Sequence, residues 1–135
     1  MGRTRQTISI NDIIKINRQM IKIYGGIFFE NDNNLANRNS LEYTLAELDA
    51  SLFGETLHTS VFEKAAILMW RIIVGHVFHD GNKRTGVATA AFLLRQHGYR
   101  LNLPIEIIDI AEGVATKTIS LDDLQKWLED NVNTI

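Results

Sequence analysis

The stretch VFEKAAILMWRIIVG, residues 61–75, decides the architecture. Val61, Phe62, Ala65, Ala66, Ile67, Leu68, Trp70, Ile72 and Ile73 make it apolar on nearly every side. A helix of that kind is normally central, with amphipathic neighbours wrapped around it. Ser60 and Glu63 form a capping pair at its start, where the first turn leaves backbone N–H groups without helical partners.

Working outward, the other segments read as those neighbours. Ser9 or Asn11 caps a first helix on which Ile10, Ile13, Ile14, Asn17 and Ile21 recur at helical spacing, and Gly25-Gly26 stops it. Residues 27–39 hold five asparagines, an Asp and the adjacent Phe28 and Phe29, and read as a loop or small irregular hairpin. Asn39 with Glu42 makes a capping pair for a helix reaching about Ser51, which Gly54 breaks. After an interruption at residues 76–81 a helix starts near Asn82, with Val87, Ala90, Ala91 and Leu94 as its inner stripe, and Gly98 ends it. Pro104 opens a fifth helix through Ala115, and Ser120 with Asp123 opens a sixth that turns Leu121, Leu124, Trp127 and Leu128 inward. The expectation is an all-α fold: one domain over residues 1–135, a compact bundle of about six helices with a small flap.

Composition narrows the function classes. The chain has 135 residues, 45% of them hydrophobic, with a formal charge of -2, so bulk charge recruits neither nucleic acid nor membrane. Cysteine is absent, which excludes disulfides and thiolate metal sites. The N-terminal MGRTRQTISI has no apolar signal core, and the longest apolar run, residues 65–70, is too short to cross a bilayer. A cytoplasmic protein is expected.

The chemistry concentrates in HVFHDGNKR, residues 76–84. Lys83 and Arg84 fall in the first turn of a helix, where the partial positive charge of the helix end makes cations unfavourable. An anion bound there reverses the penalty, taking hydrogen bonds from free N–H groups and charge from both side chains. Gly81 lets the backbone come close to it, and Asn82 caps the helix or donates to a phosphate oxygen. Asp80 beside this nest suits Mg²⁺, which keeps most of its waters and takes few protein ligands. His76 is placed to accept a proton from an incoming hydroxyl. Each element alone has a plain structural reading as a cap, a turn or a solvated face. Their coincidence within nine residues, between two apolar helices, favours phosphoryl or nucleotidyl transfer.

The same stretch resembles the signature of the Fic/Doc (Fido) family, roughly H-x-F-x-[DE]-[AG]-N-[GK]-R, at every fixed position. It looks closest to the Doc branch, the "death on curing" toxins of toxin–antitoxin modules. Ile23-Tyr24-Gly25-Gly26 before a polar loop, Asn82-Lys83-Arg84-Thr85 before a small-residue helix, and Ile119-Ser120 before a final helix extend the resemblance along the chain. It implies that His76 is the base, Asp80 the Mg²⁺ ligand, Gly81, Asn82, Lys83 and Arg84 the phosphate site, and Phe78 a core anchor. AMP-transferring members carry Gly where this chain has Lys83, and a second Arg where it has Val87. In the Doc branch that substitution accompanies ATP bound in the reversed sense. The resemblance therefore implies a serine/threonine kinase acting on elongation factor Tu and inhibiting translation. A Fic-type adenylyltransferase and a non-catalytic scaffold are the alternatives. Some Doc proteins carry an Arg at the position of Val74; Arg38, Arg71 and Lys117 are candidates to replace it.

Two further expectations concern partners. The inhibitory pattern [ST]-x-x-x-E-[GN] is missed narrowly at Ser51 to Glu55 and at Thr59 to Glu63, which Thr56 and Lys64 follow. With no inhibitor built in, the resemblance implies a Phd-type antitoxin in trans, whose disordered C-terminal segment folds into a groove. The flap, with Phe29, Asn31, Asn33 and Asn34, is expected to dock the protein target and align its hydroxyl with His76.

Overall fold

The computed structural model describes residues 8–49, 51–52, 55–56 and 60–135, with the backbone alone at 51, 52, 55 and 56. Among these, six α-helices carry the fold: α1 (Ile10–Tyr24), α2 (Arg38–Asp49), α3 (Val61–Val74), α4 (Asn82–Gln96), α5 (Ile107–Ala115) and α6 (Leu121–Asp130). Two short antiparallel pairs complete it, β1 (Ser51–Leu52) with β2 (Glu55–Thr56), and β3 (Tyr99–Leu101) with β4 (Val132–Thr134). The fold is all-α.

Helix α3 is the hub. It packs on α2, α4, α5 and α6, and Ala65, Ala66, Leu68, Met69 and Ile72 along it are fully buried. Each larger side chain so buried contributes roughly 1.5–3 kcal/mol relative to exposure. Serine begins three of the helices. Ser9 and Asp12 complete a reciprocal capping box on α1, Ser60 accepts from the N–H groups of Phe62 and Glu63, and Ser120 accepts from that of Asp123.

The broadest packing in the molecule is between α3 and α4. Gly86 permits it: a Cβ there would lie 2.8 Å from Ile73 Cγ1 and 3.2 Å from the Met69 carbonyl oxygen. The buried face of α4 is Thr85, Gly86, Thr89, Ala90, Leu93 and Leu94, while Val87 and Ala91 are half-buried. The expected stripe is thus rotated toward small residues, because helix spacing there is set by what fits against Ile73.

Two helix starts and one strand pair differ from expectation. Arg38 already belongs to α2, so Asn39 lies inside its first turn and is not its cap. Pro104 starts a turn instead of a helix: its carbonyl accepts the Ile107 N–H, and α5 begins only at Ile107. The β3–β4 pair, in register from Tyr99 opposite Thr134 to Leu101 opposite Val132, was not expected. Among the described residues no helix is long and apolar enough to cross a membrane.

Candidate active site

The loop between α3 and α4 is anchored by its middle. Val77 and Phe78 are 0% and 1% exposed and join the core, which turns His76 and His79 outward on either side of them. His76 holds a left-handed backbone, φ 46°. That conformation costs an L-residue about 1–2 kcal/mol, so the surroundings impose it. Its imidazole is exposed and, among the described residues, free of hydrogen bonds.

Asn82 closes the loop. Its amide oxygen accepts the Phe78 N–H at 2.9 Å and its amide nitrogen donates to the Phe78 carbonyl at 2.8 Å. One N–H of that side chain stays available to another acceptor. Asn82 is therefore the first residue of α4 and not its cap; the cap is Gly81, at φ 80°, with no side-chain hydrogen bond to the helix start. A Cβ on Gly81 would come within 2.9 Å of Ile21 Cδ1.

Asp80 divides its carboxylate between two segments. Oδ1 accepts the Gly81 N–H at 2.9 Å, and Oδ2 accepts the Ile27 N–H at 2.9 Å. Gly26 makes the second bond possible, since a Cβ on it would stand 2.7 Å from Asp80 Oδ2.

The flap, residues 25–37, contains no hairpin of its own. It holds a 3-10 turn, Glu30–Asp32, and pairs with the loop instead. The N–H groups of Ala36 and Asn37 donate to the Val77 carbonyl, the His79 N–H donates to the Asn34 carbonyl, and Leu35 bridges to Phe78. His79 adds a 2.8 Å contact from Nε2 to Asp32 Oδ2 and an edge-on packing against Phe29. Phe29, Asn31 and Asn33 are exposed, and Phe28 is half-buried under the Arg18 guanidinium. Asn34 departs from expectation. It is fully buried and bonded to Asn17 and to the Phe29 N–H, so its side chain faces the interior and is closed to a docking partner.

Lys83 and Arg84 lie in the first turn of α4, both exposed. Each has a partner within the chain: Lys83 Nζ reaches the Glu112 carboxylate at 2.6 Å, and the Arg84 guanidinium stacks 4.3 Å over the Tyr24 ring. Of the cations considered at the Val74 position, Arg38 pairs with Glu42 and Arg71 with Thr44 and Glu47 on α2. Lys117 occupies a left-handed turn after α5, φ 61°. None of the three bonds to the loop. In the hairpin following α2, Ser51 and Glu55 are strand residues and not part of a helix; the side chain of neither, nor Thr59, lies among the described features.

One residue of the site escaped sequence reasoning. Asn17 reads as a member of the apolar stripe of α1, yet it is fully buried and bonds Asp80, Thr85 and Asn34. The available signal was an amide at an inward position of a helix otherwise facing the core with isoleucine.

The start of α4 thus has Gly81 as a cap without a side chain, two cations in its first turn and the Asp80 carboxylate beside it. The chain belongs to the Fic/Doc family, whose profile matches residues 7–94. It is similar to the protein named "Protein kinase doc" of Escherichia phage P1, 30% identical over 121 residues, covering 90% of this chain and 91% of that one. It is also similar to "Toxin Doc" of Mycolicibacterium smegmatis, 27% identical over 112 residues, covering 81% of this chain and 86% of that one.

Proposed function

We propose that this chain is a Doc-type toxin, a protein kinase that transfers the γ-phosphate of ATP to a serine or threonine hydroxyl of a translation factor, elongation factor Tu being the expected target. The observation that carries the reading is the first turn of α4, where Lys83 and Arg84 stand at an end with no side-chain cap. Free N–H groups and two cations there suit the terminal phosphates of a nucleotide. The name of the phage relative supports kinase chemistry.

The donor set fits Mg²⁺. Asp80 is a single carboxylate with lone pairs beyond its two backbone bonds. Among the described residues no group of three or more acidic or histidine side chains could cage a metal alone. An ion brought with a nucleotide needs only such a lone carboxylate, and when bound it neutralises phosphate charge. His76, exposed and unengaged, takes the proton of the target hydroxyl. The hydroxyl oxygen bonds to the γ-phosphorus as the bond to the β-phosphate oxygen breaks, and ADP leaves. Lys83 and Arg84 hold the phosphate oxygens through this transfer. The exposed Phe29, Asn31 and Asn33 of the flap receive the target.

A toxin implies an antitoxin, and a Phd-type segment is the expected one. A groove of about 330 Å³ between α1, α4 and β3, lined by Ile16, Met20, Phe92 and Leu101 with Arg95 and Arg100 beside them, suits an amphipathic helix with acidic flanks.

Incubation of the chain with Mg·ATP and a cell-free translation extract tests the reading. A target heavier by one phosphate, and growth arrest by the wild type that His76→Ala abolishes, is the expected result. A target heavier by a whole nucleotide points to adenylyl transfer, and equal growth of the two strains sinks any enzymatic role.

A further inference from the structure

We infer that Asn17 is a positioning residue that joins the flap and the phosphate loop into one mechanical unit. The inference deepens the function proposed above and rests on it for its catalytic consequence. Asn17 lies on α1, fully buried, among Ile13, Ile14 and Ile21. Its amide nitrogen donates to the Asp80 carbonyl at 3.0 Å and to Thr85 Oγ1 at 2.9 Å, and its oxygen accepts from Asn34 Nδ2 at 2.9 Å. Both amide hydrogens are thereby committed.

The partners are what give the amide its meaning. Asp80 is the proposed metal ligand and Thr85 follows Arg84 in the first turns of α4. Asn34 is the inner residue of the flap, held left-handed at φ 62°, with its side-chain oxygen on the Phe29 N–H and its carbonyl on the His79 N–H. A single side chain thus meets the metal-binding loop, the phosphate-binding helix and the target-docking segment. Burying an amide brings a cost that only its hydrogen bonds offset, and an aliphatic residue there would pack against the isoleucines without it. A fully satisfied polar network in a core fixes one geometry among several of similar packing. Here the geometry fixed is the distance between docked hydroxyl and bound phosphate.

It follows that nucleotide binding at the loop stiffens the flap through Asn17. Amide hydrogen exchange of the wild type, with and without Mg·ATP, should show Phe29, Ala36 and His79 gaining protection when the nucleotide binds. In Asn17→Ala, Mg·ATP should still bind within about threefold of the wild-type affinity, while the flap no longer responds. Phosphoryl transfer to extract proteins should fall in kcat by between about tenfold and a hundredfold, with little change in the KM for ATP. A flap that still responds, or a loss confined to the KM, overturns the inference. Should Asn17→Ala fail to fold, Thr85→Val removes one of the three bonds at constant shape and Thr85→Ser restores it. A kcat lost in the first and recovered in the second supports the role, and equal kcat in both overturns it. Should the wild type bind no Mg·ATP, the kinase reading fails, but exchange in the free protein still decides on Asn17. The joint loss of protection at Ile27, Phe29 and His79 supports the coupling; loss at the flap without the loop overturns it.

Discussion

Asp80 reaches across the site to the Ile27 N–H, and this 2.9 Å bond makes the proposed metal ligand also the clasp of the flap. An amide cannot perform both tasks. In Asp80→Asn one of the two N–H groups, that of Ile27 or of Gly81, faces an NH₂ and loses its acceptor. The expected loss is about 1–3 kcal/mol of stability, together with the Mg²⁺ dependence of ATP binding. Denaturant unfolding and calorimetric titration read the two effects separately, and an unchanged midpoint with a full Mg²⁺ response contradicts both assignments.

The adjacent glycines should respond unequally. Gly26→Ala puts a methyl 2.7 Å from Asp80 Oδ2 and 2.8 Å from Ile21 Cδ1 at φ 130°. Gly25→Ala, at φ 91°, meets nothing within 4 Å. The second should lose only the backbone preference, about 1 kcal/mol, and the first more, with the flap displaced and transfer reduced. Thermal unfolding of the pair checks this, and equal losses refute the close contact.

His76 offers a separation of stability from activity. Both His76→Ala and His76→Gly remove the imidazole and should abolish transfer. Only glycine relieves the left-handed backbone at φ 46°. His76→Gly should therefore be more stable than His76→Ala by about 1 kcal/mol. Equal midpoints would mean that the strain is not present in solution.

Lys83 and Glu112 test the phosphate site. Their pair is exposed, so Glu112→Ala should change stability by less than about 1 kcal/mol. It should also free Lys83 for the nucleotide, and ATP should bind at least as tightly as to the wild type. Lys83→Gly should abolish phosphoryl transfer and open the site to some adenylyl transfer. The mass gained by the target distinguishes the two, and phosphorylation at the wild-type rate refutes a directing role for Lys83.

How far these features could be read beforehand depended on how local their causes are. The all-round apolarity of α3 and the serine caps at Ser60 and Ser120 are set by residues within four positions and were legible, while Ser9 and Asn11 stayed equal candidates for α1 until the structure chose Ser9. The HVFHDGNKR loop was legible too, because its residues are contiguous. Strands of three residues at Tyr99 and Val132 carry no periodicity, and only the tertiary approach of the α4 and α6 ends pairs them. Helix α5 starts later than expected because Pro104 suits a turn as well as a first helical residue. Phe29 and Asn34 share one polar loop, and nothing in their spacing tells which faces out. That is decided by the left-handed backbone at Asn34 and by an amide 17 residues earlier.

The short link between α3 and α4 has a kinetic consequence. Two helices joined by seven residues, 75–81, close at little entropic cost and form contacts early. The bond from Asn17 to Thr85 spans 68 residues, so its closure carries a larger entropic cost and is expected later. Pulse-labelled exchange during refolding should therefore find the α3–α4 hairpin protected before the amides of Phe29 and His79. On the proposed function, competence for transfer is expected only after the bond from Asn17 to Thr85 has closed.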